Sequence, residues 1–169
     1  MNANVLLPQV FAFLGYGLLQ VFFLQGVVLF EYAFCWLYVS FLLFLPINTD
    51  RVVLLLLAFV YGLFVDVFYD TLGVNSIACL ALAYSRKWVL ELLQPSGGYE
   101  PQQRPLLSDM RTGWFASYVL ILLTIHHLVL FLVEAASFAY LGVLVLKIVA
   151  SVLFTFVTII LFQYLFYRK

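Results

Sequence analysis

Residues 62–76 read GLFVDVFYDTLGVNS. They place two carboxylates, Asp66 and Asp70, at the end of an apolar run (52–65) that otherwise has the character of a membrane helix. An ionised Asp in hydrocarbon costs roughly 2.5–3.5 kcal/mol on insertion scales, so an acid placed there needs a partner, a water-filled cavity or the interface. On a continuous helix Gly62, Asp66, Asp70 and Gly73 follow at steps of four, four and three and line one face, with the glycines allowing another backbone to come close. The stretch predicts a helix face turned towards protein, not lipid.

The rest of the chain agrees with a membrane setting. Of 169 residues, 66% are hydrophobic and 9% charged, against about 25% charged in a soluble domain. A spanning helix takes about 20 mostly apolar residues. The sequence is one such run after another, which leaves room for one integral membrane domain over 1–169 and no soluble domain. Eight basic and eight acidic residues cancel, so no basic surface is available and nucleic acid is excluded as a partner. Cys35 and Cys79 stand alone in apolar runs, without Cys-x-x-Cys or Cys/His spacing, and read as packing residues. The N-terminal MNANVLLPQV has no basic n-region, so the first helix is expected to stay in place.

Six spans are expected, at 5–24, 32–45, 52–69, 74–84, 114–133 and 139–166, as an all-α bundle. The second is short for a bilayer, and the fourth stops at Arg86 and Lys87, which are expected to snorkel. An amphipathic extension to about Leu93 then lies along the interface. A loop at about 94–113, rich in Pro and Gly, leaves the membrane. Arg51, Arg86, Lys87, Arg104, Arg111, Arg168 and Lys169 all fall on one side of this arrangement, and the opposite breaks carry no Lys or Arg. The positive-inside rule then places both termini and the 94–113 loop in the cytoplasm, with Glu31, Asp70 and Glu134 facing outward. Trp88, Trp114, Tyr164 and Tyr167 supply the aromatic belt.

By helical rise, Asp66, the pair His126 and His127, and Lys147 all lie about 10–12 Å below the outer ends of their helices. A shared polar layer inside the bundle is one reading, with Asp66 ion-paired to Lys147. Individual snorkelling of each group is the other. Asp70 is either a contact residue or a solvated turn residue. His126 and His127 point about 100° apart and cannot chelate one metal together, so no metal site is expected. His127 shares a face with Phe131 and Glu134 and is expected to hydrogen-bond Glu134 or face a partner, unless it is simply a satisfied core histidine. No Gly-rich phosphate loop, His-Glu-x-x-His or Gly-x-Ser-x-Gly occurs. The chain reads as a non-enzyme, without catalytic residues or a cofactor.

The stretch AFVYGLFVDVFYDTLGVNSIA (58–78), followed by ELLQPSGGYEPQQRP, HHLVLFLVE and the terminal QYLFYRK, resembles the rod shape-determining protein MreD family in its Bacteroidetes-type form, over nearly the whole chain. Asn75 stands where the resemblance leads to a His. The resemblance implies a non-enzymatic inner-membrane scaffold of the bacterial rod-elongation complex, which makes peptidoglycan and maintains cell shape. The implied partners are MreC and, through the complex, MreB and the RodA and penicillin-binding-type synthases. The alternative is the substrate-binding membrane subunit of an energy-coupling-factor vitamin importer, a fold that the MreD family resembles. Such subunits typically dock through an Ala-x-x-x-Ala pattern in the first helix, where this chain has only Ala12, Gly15 and Gly17.

Overall fold

The computed structural model describes residues 3–100, 103–135 and 141–166. Helix α1 (Ala3–Leu19) widens into a π-helical turn over Gln20–Leu24. Two-residue strands β1 (Val28–Leu29) and β2 (Ala33–Phe34) pair antiparallel across a tight turn at Phe30 and Glu31, both with positive φ. A 3₁₀ turn (Leu37–Val39) and a single helical turn, α2 (Ser40–Leu43), lead to the long helices α3 (Arg51–Tyr69), α4 (Val74–Leu92), α5 (Thr112–Ala135) and α6 (Leu141–Phe166).

Among the described residues, four helical stretches are long and apolar enough to cross a membrane: Leu7–Leu24, Arg51–Tyr69, Thr112–Ala135 and Leu141–Phe166. The protein is a mostly helical, multi-pass membrane protein. The expected second spanning helix at 32–45 does not form. In its place runs an irregular segment of which every residue from Cys35 to Leu45 is buried. Composition explains why periodicity misled here. CWLYVSFLLFL is apolar on every side because it is surrounded by protein on every side, and a continuous apolar run does not separate a helix from other buried backbone.

The fourth element also departs from expectation. α4 continues unbroken to Leu92, so its last two turns are part of the bundle and not a separate interfacial helix. Val89 and Leu90 are buried while Lys87, Trp88, Glu91 and Leu92 are exposed. α3 starts where Asp50 accepts from the amides of Val52 (2.9 Å) and Val53 (3.2 Å), an N-cap that satisfies two donors of the first turn. It stops at Asp70, whose φ of 53° is left-handed. Gly73, at φ 85°, completes the turn that leads into α4.

The loop after α4 is irregular, as expected, yet tethered. Tyr99 Oη donates to Leu90 O (2.7 Å) and Trp114 Nε1 to Leu93 O (2.7 Å). Burial raises the Tyr99 pKa above its ordinary value, which keeps that phenol a donor. Leu107 N donates to Gln163 Oε1 on α6, and Ile47 N to Gln103 O, which ties the loop to the far end of the irregular segment.

Candidate functional site

Asp66 is buried on α3, and its carboxylate accepts five hydrogen bonds. Thr71 Oγ1, Asn75 N and Asn75 Nδ2 donate to Oδ1, and Ser76 N and Ser76 Oγ donate to Oδ2. The two amides belong to the first turn of α4, whose own N-cap position is Gly73 and offers no side chain. Asp66 therefore caps the neighbouring helix across the turn, where unpaired N–H groups and the positive end of the helix dipole receive a carboxylate. Gly62 makes the approach possible. A Cβ there would lie 2.7 Å from Ser76 N and 2.9 Å from Asn75 O, so only glycine lets α3 and α4 come this close.

This arrangement overturns the expected pair between Asp66 and Lys147. Asp66 has five donors and needs no cation, while Lys147 is half-buried on α6 with its Nζ 5.5 Å from the centre of the Phe34 ring. Nor do Asp70 and Gly73 continue a helical face with Gly62 and Asp66, because the helix ends at Tyr69. Asp70 is an exposed cap residue, and Gly73 serves the turn through its φ, with open space around it.

From Asp66 the polar chain runs inward. Asn75 Nδ2 donates to Asp66, Tyr38 Oη donates to Asn75 Oδ1 (3.0 Å), and His126 Nε2 lies 2.9 Å from Tyr38 Oη. Since the Tyr38 proton goes to Asn75, His126 is assigned the Nε2–H tautomer and donates to the Tyr38 oxygen. His126 Nδ1, which has no partner among the described residues, is then a bare lone pair, less costly to bury than a stranded donor. His127 takes the opposite tautomer. Its Nδ1 donates to Leu123 O (2.8 Å), and Nε2 faces Thr155 Oγ1 (3.3 Å). The expected bond from His127 to Glu134 is absent: Glu134 is exposed on the last turn of α5. Asp66 and His126 are thus joined through one network, and His127 joins α5 to α6.

The residues that organise this interior were mostly not singled out by sequence. Gln20 Nε2 donates to Cys35 O (2.9 Å), and its Oε1 accepts from Tyr38 N (3.2 Å). Ser151 Oγ accepts from Phe34 N and donates to Tyr32 O. Thr155 Oγ1 accepts from Trp36 N and lies within bonding distance of Phe34 O. At the opposite end, Arg86 is 1% exposed. It donates from Nε to Tyr118 Oη (2.7 Å) and from its terminal nitrogens to Leu45 O and Pro46 O. Tyr118 Oη donates onward to Leu43 O (2.9 Å). Arg86 therefore does not snorkel, whereas Lys87 is exposed and meets Glu91 at 3.7 Å.

Five side chains, Gln20, Arg86, Tyr118, Ser151 and Thr155, together satisfy backbone groups from Tyr32 to Pro46. Non-helical backbone at membrane depth is tolerated only where such partners exist. A signal was present in the sequence. Ser151, Thr155 and Gln163 recur at multiples of four along an otherwise apolar α6, which marks a stripe facing other polar groups. Comparison with family models, with curated proteins and with solved structures finds no match for this chain.

Proposed function

We propose that the protein is a non-enzymatic inner-membrane scaffold of the MreD type, crossing the membrane six times with both termini in the cytoplasm. The fourth helix and the buried segment 35–45 supply the two crossings beyond the four long apolar ones. The seven-to-none distribution of basic residues orients the bundle. Its partners are MreC and, through the complex, MreB and the peptidoglycan synthases.

One observation carries the preference for a scaffold. The interior of the bundle is filled by residues 35–45, and the buried side chains of Gln20, Arg86, His126 and Thr155 are bonded to that segment. A vitamin-binding subunit would need that interior for its cargo, and an enzyme would need those side chains for chemistry. Here both serve to hold one shape, which suits a protein that presents fixed surfaces to partners. Among the described residues, Glu31, Asp70 and Glu134, all exposed, and Lys147 over Phe34 are polar groups left for contacts at the outer side.

Deletion of the gene tests this. Rod-shaped cells should become round without acquiring a nutrient requirement. A vitamin requirement with normal shape would replace the scaffold by the transport subunit.

A further inference from the structure

The basic end of the α3–α4 hairpin carries a half-open cavity of about 330 Å³, lined by Arg51, Arg86 and Lys87 together with Asn48, Thr49 and a floor of apolar residues that includes Leu54. The volume lies at the lower end of the range of small-ligand sites, about 300–1,000 Å³. Three cations and, among the described residues, no carboxylate line it. Asp50, the nearest acid in sequence, is turned to the amides of Val52 and Val53. Glu91 meets Lys87 at 3.7 Å, with both side chains more than half exposed. That is a solvent-screened surface pair, too weak to neutralise the site.

Arg86 sharpens the argument. It is fully buried, and among the described residues its partners are two carbonyl oxygens and a phenol, with no carboxylate. No counter-charge among these partners offsets the guanidinium. The geometry around the cavity also places it at a membrane surface. Arg51 is the first residue of a span and lies with Cζ 4.7 Å from the centre of the Tyr84 ring, and Tyr84 packs edge-on against exposed Trp88. Aromatic and basic side chains of this kind mark the headgroup level, and basic pockets between membrane helices take phosphate headgroups.

We propose that this cavity is a binding site for a phosphate group of net negative charge, held by Arg51 and Lys87 at its mouth and by the field of Arg86 behind them, with the apolar floor accommodating the part of the ligand that carries it. The inference is independent of the rod-elongation reading, because it rests only on the placement of the hairpin in a membrane. An anionic phospholipid and a soluble phosphate are the two sources of that chemistry.

The test uses the full chain purified in an uncharged detergent, titrated with short-chain phosphatidylglycerol, short-chain phosphatidylcholine and inorganic phosphate, with binding read by native mass spectrometry. Phosphatidylglycerol, whose phosphate charge is uncompensated, should bind in preference to phosphatidylcholine, whose choline cation offsets the same phosphate. The double variant R51Q/K87Q should bind it about thirtyfold more weakly, from the loss of two surface cations. R104Q/R111Q, which removes the same charge elsewhere, should bind as the natural protein does. Hydrogen exchange on the unaltered protein gives a second readout, since bound lipid should protect amides of 47–54 and 83–90. Failure of inorganic phosphate to compete identifies the lipid as the source, and competition identifies a soluble phosphate. Equal binding of the two lipids without phosphate competition, or unchanged binding by R51Q/K87Q, overturns the site.

Discussion

The α3–α4 hairpin and the segment from Tyr32 to Ile47 face the same problem, polar backbone inside an apolar bundle, and solve it at different ranges. In the hairpin, Asp66 receives donors only 5 to 10 residues away. In the segment, the partners of Phe34, Trp36 and Tyr38 lie 18 to 119 residues away, on α1 and α6. The hairpin can form its bonds as soon as its two helices meet. The segment acquires its shape only when α1, α4, α5 and α6 are all in place.

The largest expected effect therefore lies at the segment. Arg86→Met removes donors from Leu45 O, Pro46 O and Tyr118 Oη, and stranded buried acceptors at about 1–3 kcal/mol each should lower stability by about 3–5 kcal/mol. Unfolding in mixed micelles would measure the loss, and hydrogen exchange should show amides of 35–45 opening well before those of α3. Uniform opening of the whole bundle would erase the distinction between the two regions.

Asp66→Ala comes next. It strands the amides of Asn75 and Ser76 and breaks the link to Tyr38, for a loss of about 2–4 kcal/mol, with early exchange confined to the start of α4. Gly62→Ala should cost about 1–3 kcal/mol by overpacking, because its methyl meets backbone atoms of Asn75 and Ser76 that cannot swing aside. A neutral Gly62→Ala would mean that the hairpin has slack which the close approach of its helices denies.

The smallest effect is expected at Lys147. Lys147→Met should change stability by about 0.5–1 kcal/mol, the scale of a cation over an aromatic ring. In a double-mutant cycle with Asp66→Asn the two losses should add within about 0.5 kcal/mol. A coupling of several kcal/mol would restore the ion pair that the five donors around Asp66 make unnecessary.

The hairpin was legible in the sequence because its signals are local. A four-residue step from Gly62 to Asp66, a turn at Asp70 to Gly73 and an apolar run before them are read within one window. Even there, the sign of the answer depended on three dimensions. The depth of Asp66, His126 and Lys147 pointed to a common layer, but depth does not give rotation about the helix axis. Tyr38 and Asn75 brought Asp66 and His126 together while Lys147 stayed over Phe34. The Asp70 carboxylate could not share the face of Asp66, because the left-handed residue that ends α3 is Asp70 itself.

By itself, the sequence determined the membrane setting, the four long apolar helices, the turn at 70–73 and the irregular loop after α4, since hydropathy, length and helix-breaking residues act locally. Only the tertiary structure decided the path of 28–47. An apolar stretch buried on all sides carries no periodicity to declare its conformation, and the five side chains that make a non-helical path tolerable are supplied by α1, α4, α5 and α6. The burial of Arg86 follows from the same cause: the carbonyl oxygens that hold it sit 40 and 41 residues earlier in the chain, where no local pattern connects them.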